Sequence, residues 1–466
     1  MTGNDSERGP PQARDGFLIA AFAVVGYLLL RQESFYGDAP KLLESRLRGH
    51  LLYPQHLLYM PLLALVQNAL APFGVGLFAA GGVLSAVGTG VGVFAGHRAF
   101  ATLGCDRRQA ALAAGLVAAC PAVVFFATVV ELHGAFVAFA GVAFAAFARV
   151  VARPGNGAAV SAGVATALAT GAHATGHLLV VLFWALGEGL GVRRRWLVVV
   201  TCAHVVGVVA LPFVLGAVTG RPLPDVDSLA LLQEFAGRRM RDLPKAGWTV
   251  WQELVVPYAP CWIAWTTTAR VRGWFALAVL AYLTAAFLLT SIYSERGAYL
   301  LPLAFPFAWF AVRRWRTSLV VAALAGSLAL GVARVVDYDE PERSRAFARG
   351  YGELFDGRDV LLLVGPVRDL EAIHVRMPEV AWFLVTDLAT APVEAMAETL
   401  SLFDAHVAQR IEAGTTVVVT SEVGAALAAT DALYPGAAML RAHIDAHYVQ
   451  SPVASHGFSG VVLTPR

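Results

Sequence analysis

The sequence predicts a polytopic α-helical membrane protein, with about eleven transmembrane helices and a small extracytoplasmic α/β domain at its C-terminal end. Three observations lead there. Of the 466 residues, 57% are hydrophobic and only 15% charged, and the mean hydropathy is +0.62, outside the range of water-soluble globular chains. The apolar residues gather into runs of roughly 20, the length that crosses a hydrocarbon core about 30 Å thick. Beyond residue 337 the runs shorten to strand length and alternate with helical patterns. This divides the chain into a transmembrane domain, 1–336, whose first outer loop is 32–73, and a soluble domain, 337–466.

A polar N-terminus precedes the first apolar run, 15–31, which ends in Arg31-Gln32-Glu33 with no small-residue cleavage signal after it and reads as an uncleaved signal anchor. Further spans are expected at 74–96, 108–130, 134–151, 157–172, 174–191, 196–217, 249–268, 274–292, 297–312 and 317–335. The segment 57–71 is shorter and is interrupted by Pro61, Gln67 and Asn68, so it is read as a helix lying in the interface. Glycines 81, 82, 88, 90 and 92 in the second span read as sites of close helix packing.

Sidedness follows from the arginines of the short loops. Five loops carry thirteen of them: Arg98, Arg107 and Arg108; Arg149 and Arg153; Arg193, Arg194 and Arg195; Arg270 and Arg272; Arg313, Arg314 and Arg316. The short loops opposite carry one, Arg296. With 57–71 interfacial, the arginine loops share a side with the N-terminus, and that side is the cytoplasm. The expected location is the cytoplasmic (inner) membrane. The loop 32–73, the turns at 131–133, 173–177 and 294–296, the loop 219–248 and the C-terminal domain then lie outside.

In that domain, strands are expected at 359–364, 381–385, 415–420 and 460–463, buried on both faces, with helices at 392–412 and 421–433 and a charged linker at 337–343. It has neither a G-x-G-x-x-G nor a Walker loop. His374, His406, His443, His447 and His456 read as solvated surface residues, although His443 and His447 stand at i, i+4. Net charge is only +2 and the basic residues form no stripe, which argues against nucleic acid as a partner. Cys105, Cys120, Cys202 and Cys261 have no metal or disulfide spacing and read as small packing residues.

The residues fit for chemistry gather on the outer face. Asp38, in Phe35-Tyr36-Gly37-Asp38-Ala39-Pro40, follows the first span closely, and Pro40 is expected to start an amphipathic helix at 41–48. Glu131 and His133 sit between two apolar helices, where an acid is costly unless it faces a protein or water cavity. His173 and His177 stand at helical i, i+4 spacing and are read as lining a cavity, with metal binding as the other option. His56 lies in the interfacial stretch Tyr53-Pro54-Gln55-His56-Leu57-Leu58-Tyr59. Glu295 and Arg296 precede a late span, and an arginine placed against the charge rule points to an anionic partner. Arg238 and Arg239 add positive charge to the outer loop and could also anchor lipid head groups.

At these positions the chain resembles the GT-C class of membrane glycosyltransferases, which includes protein O-mannosyltransferases and the aminoarabinose transferase acting on lipid A. The resemblance covers roughly residues 15–335. It rests on the order of Gly37-Asp38, the 53–59 stretch, Glu131, and Glu295-Arg296 followed by Tyr299 and Pro302. Asp38 lacks an adjacent second acid, and Glu131 stands where the class often has Asp. What the resemblance implies is a sugar carried on a polyprenyl phosphate and moved, outside the cytoplasm, to an acceptor lipid, glycan or protein. It further implies Asp38 as general base, Glu131 as a second carboxylate orienting acceptor or base, and Arg296 as the phosphate clamp. His56, His133, His173, His177, Glu295, Arg238 and Arg239 are expected to bind substrate. No cofactor is assigned, and a divalent metal is compatible with the acids. A transporter and an inactive envelope scaffold are the competing readings; the absence of a clear internal repeat and the gathering of polar residues at one surface weigh against the first.

Overall fold

The computed structural model describes residues 12–37, 39–47, 49–53, 56–220, 276, 278–282, 284, 298–365, 368–389, 391, 393–430 and 435–466. Two compact units form: one holds the chain up to Gln32 together with Tyr36–Tyr338, the other Glu33–Phe35 together with Asp339–Arg466.

The first unit is helical. Its helices are α1 (Ala13–Leu29), α2 (Ala39–Leu47), α3 (Tyr59–Leu70), α4 (Leu77–Thr102), α5 (Arg107–Ala119), α6 (Pro121–Thr128), α7 (Leu132–Ala152), α8 (Asn156–Ala172), α9 (Leu178–Gly189), α10 (Arg194–Thr219), α11 (Ala304–Arg314) and α12 (Thr317–Tyr338). Among the described residues, α4, α7, α10 and the run Thr317–Phe355 are long and apolar enough to cross a membrane, and α5 with α6 make a fifth if that bent pair counts as one span. The apolar stretches of α10 and Thr317–Phe355 are only 17% and 22% buried within the protein. Side chains such as Val206, Phe213 and Leu319 therefore face outward, which is stable in lipid and not in water. The expected spans 249–268 and nearly all of 274–292 lie outside the described residues.

The span expected at 108–130 is not straight. It breaks at Cys120 and turns by 59°, because Pro121 has no N–H to give and its ring crowds the preceding turn. The segment expected in the interface, 57–71, forms the 12-residue helix α3, about 18 Å long, well short of a hydrocarbon core about 30 Å thick. At the opposite end of the bundle, Asp106 and Gln109 close a capping box at the start of α5. There Arg107 donates two hydrogen bonds, of 2.7 and 2.8 Å, to Asp15, which brings the N-terminal ends of α1 and α5 together.

Helices α4 and α7 pack backbone to backbone. A methyl group at Gly92 would stand 2.4 Å from the Val137 carbonyl oxygen, and one at Gly134 would stand 2.6 Å from Ser85 Cα. Glycine alone permits that approach.

The second unit is a small α/β domain. It contains α13 (Pro341–Phe355), β1 (Val360–Val364), α14 (Arg368–Arg376), β2 (Ala381–Leu384), α15 (Met396–Glu412), β3 (Thr416–Thr420), α16 (Ser421–Thr430), α17 (Pro435–His447), β4 (Tyr448–Ser455) and β5 (Phe458–Pro465). The sheet order is β2-β1-β3-β5-β4, parallel from β2 to β3 and antiparallel beyond. β1 is buried along its length, whereas β2 and β5 are partly exposed, so only the centre of the sheet is covered on both faces. The stretch expected as a linker runs into α13, with Pro341 in the first turn and Arg345 paired to Glu342 one turn earlier.

Two of the tail histidines are not solvated as expected. His374 lies between the rings of Phe35 and Trp382, and burial pushes its imidazole down to about 4. His443 donates from Nε2 to Asp404 at 2.9 Å, with His447 stacked on it at 4.1 Å. His456 is exposed and bonds Glu353.

Candidate active site

Glu131 occupies the junction between α6 and α7. Helix α6 ends at Thr128, and Glu131 has the extended backbone of an N-cap residue, φ −160° and ψ 156°, without using its side chain to cap the helix. The carboxylate is thus left for other partners in a place where the residue is 1% exposed. Its main chain is held by Ser85 of α4, whose hydroxyl donates to the Glu131 carbonyl at 3.0 Å and accepts from its N–H at 3.4 Å. The close approach of Gly134 to Ser85 makes this possible, so the small residues of the α4/α7 contact also fix the acid.

A row of aromatic rings lines one side of Glu131. His133 Nδ1 is 3.4 Å from Glu131 Oε1. The His133 ring lies 4.8 Å from that of His173 and 4.7 Å from Phe126; His173 lies 5.1 Å from His56, which stacks on Tyr53 at 5.9 Å. Tyr299, in the 3-10 turn Ala298–Leu303, closes the row at 5.7 Å from His173 and 6.5 Å from His133. His173 accepts a hydrogen bond from the Thr175 N–H at Nδ1, 3.2 Å, and therefore carries its proton on Nε2 when neutral; the Thr175 hydroxyl, 2.6 Å away, donates to the same nitrogen. Its outer nitrogen is a donor.

The first outer loop is led toward the acid by two attachments. Gln32 donates from its N–H to the Thr128 carbonyl at 2.8 Å and from Nε2 to the Thr128 hydroxyl at 2.7 Å. Tyr36 packs edge-on against Phe125, Phe126 and Tyr338. Gly37 follows with φ +55°, and a Cβ there would meet Glu131 Oε2 at 3.4 Å. Pro40 sits in the first turn of α2, as expected.

Of the residues singled out in the sequence, His56, Glu131, His133 and His173 come together. His177 does not join them. Helix α8 stops at Ala172, His173 is extended (φ −155°), and 174–177 form a 3-10 turn, so the i, i+4 spacing is not that of one helical face. His177 instead meets His204 of α10, Nδ1 to Nε2 at 3.1 Å. Asp38, Arg238, Arg239, Glu295 and Arg296 lie outside the described residues. Tyr59 was named only as the end of the 53–59 stretch, without a role of its own. Its phenol is buried with no hydrogen-bond partner among the described residues and lies within electrostatic reach of the Glu131 carboxylate. Tyr299 was named only within the stretch that follows Glu295-Arg296, without a role, and Ser85 not at all, because nothing in an apolar run marks such a serine beforehand. Among the described residues, no three His, Cys, Asp or Glu side chains converge to hold a metal ion.

No protein-family model matches the sequence, and no curated protein does. Among solved structures, ArnT from Cupriavidus metallidurans in the apo state aligns at TM-score 0.51 with 13% identity, covering 96% of this chain and 97% of that one. The same protein bound to undecaprenyl phosphate aligns at 0.44, again with 13% identity and coverage of 96% and 97%. An Archaeoglobus fulgidus oligosaccharyltransferase in complex with Zn and sulfate aligns at 0.47, with 14% identity over 96% of this chain and 75% of that one. At TM-score 0.51 over nearly the whole of both chains, the chain shares the fold of ArnT.

Proposed function

We propose that this protein is a membrane glycosyltransferase that moves a sugar from a polyprenyl-phosphate donor to an acceptor on the outer face of the cytoplasmic membrane, where its C-terminal domain also lies. The observation that carries the proposal is the Glu131 carboxylate, buried at the kinked end of a helix, not spent on capping, and adjoining the Gly37 that precedes Asp38. A carboxylate is kept in such a place at a cost of several kcal/mol, which favours a role in chemistry.

The Asp15–Arg107 pair supports the sidedness. It joins the start of α1 to the start of α5, and this is natural if α3 lies in the interface and α1 and α4 cross in opposite directions. Were α3 a span, the two ends would face opposite sides of the membrane. The arginine loops then face the cytoplasm and Glu131 faces out.

In the proposed reaction, Asp38 takes the proton of an acceptor hydroxyl as its oxygen attacks the anomeric carbon. The bond from that carbon to the donor phosphate breaks, and polyprenyl phosphate leaves. Glu131 orients the acceptor or Asp38, and the His133, His173 and Tyr299 rings form a wall for the sugar. Arg296, with Arg238 and Arg239, is proposed to meet the phosphate charge. Replacing Asp38 by Asn is expected to abolish transfer while the protein remains folded in detergent. Full activity in that variant would refute its role.

A further inference from the structure

The three residues Glu33–Phe35 belong to the first outer loop in sequence, yet they are built into the C-terminal unit. Every one of their backbone N–H groups is taken by a carboxylate of that unit. Asp339 Oδ1 accepts from Glu33 at 2.9 Å and from Ser34 at 3.0 Å, and Glu371 Oε2 accepts from Phe35 at 3.1 Å. The bond also runs the other way, since the Ser34 hydroxyl accepts from the Glu340 N–H at 3.0 Å. Glu371 is buried and is itself held by Arg343 at 3.1 Å, while Arg376 pairs with the Glu33 side chain. Phe35 is 3% exposed, against the ring of His374.

Three consecutive amides capped by two acids, with a charge pair and a buried ring beside them, are more than a tether requires. Charge-assisted bonds of this kind are stronger than neutral ones, and a buried acid released from them would be left at a cost. Asp38 stands three residues beyond Phe35, a reach of at most about 10 Å of extended chain.

We propose that the C-terminal unit restrains the first outer loop through the chain itself: Asp339, Glu371 and Arg376 grip residues 33–35 and so limit the freedom of the segment that continues to Asp38. This rests on the function proposed above and explains why a transferase fold retains a soluble tail. The grip would order the loop before substrate arrives, so its loss should lower turnover more than donor binding.

Two arms test it on the full-length protein in detergent. In hydrogen exchange, Asp339→Ala is expected to speed exchange of the 33–35 amides and of the following segment, 36–47, by about tenfold or more. Unchanged exchange over 36–47 would overturn the proposal whatever the activity. In transfer assays, Glu33→Arg and Arg376→Glu are each expected to lower kcat about fivefold or more with KM for the donor nearly constant. The double exchange should restore kcat. Single variants with wild-type kcat, or a folded double variant without rescue, would contradict it. If the wild-type protein transfers no sugar, the proposed function fails, and the exchange arm still decides whether the tail restrains the loop.

Discussion

At the residue scale, the environment of each ionisable group sets its behaviour, and the tail offers a clean case. Burial raises the Asp404 carboxyl, but hydrogen bonds from His443 and Tyr448, with the charges of His443 and His447, more than offset it and leave it below its ordinary value. A carboxyl lowered in the folded state stabilises above its unfolded pKa of about 3.9, and that contribution is lost as pH falls through the folded value. Asp404→Asn should therefore lower the melting temperature of the tail slightly at pH 7 and converge on the wild type as pH falls below about 4, which flattens the acid slope. The effect should be modest, well under about 1 kcal/mol, because Asp404 is more than a third exposed and solvent screens the pair. An unchanged acid slope would remove this pairing from the account. Glu131 and His133 were legible in the sequence because a charge inside an apolar context is conspicuous. Tyr59 and Tyr299 were marked only as members of the stretches that carry the resemblance, since a tyrosine in an apolar run looks the same whether it packs or binds; only its neighbours in space distinguish the two.

At the element scale, glycines decide how closely helices approach, and the approach decides where Glu131 sits. Gly134 lies against Ser85, the residue that holds the Glu131 main chain from both sides. Gly134→Val should lower stability by about 1–3 kcal/mol through overpacking, read as a drop in thermal unfolding midpoint in detergent. Gly26→Ala, in a helix where an added Cβ meets nothing within 4 Å, should match or exceed the wild type. A tolerated Gly134→Val would mean that the α4/α7 contact yields more readily than its geometry implies. Among the described residues, helix positions followed closely from hydropathy, but local shape did not: the bend at Cys120 needed the proline's effect on a long span, and the i, i+4 histidines were misjudged because α8 ends before them. In the tail, β4 went unseen because it is an edge strand with polar, exposed positions and Pro452, features that suit an edge and blur a strand pattern. The charged stretch at 337–343 hid a helix start, because its charges are satisfied by neighbours one turn away.

At the scale of the whole molecule, a bundle with lipid-facing helices places an acid and a row of histidine and tyrosine rings at one end of its spans, and a small α/β unit takes three residues of the loop that leads to Asp38. The proposed sidedness rests on the arginine counts, and the ion pair between the starts of α1 and α5 is what that proposal expects of two helix ends on one side. The most direct measurement of the central claim is chemical. Purified protein in vesicles is given a polyprenyl-phosphate sugar labelled in the sugar, and the fate of the label is followed. The account predicts that label leaves the lipid, to water or to an added acceptor, with stoichiometric release of polyprenyl phosphate, and that Asp38→Asn prevents this. Label that stays on intact lipid, or crosses the membrane with the donor bond unbroken, would contradict it.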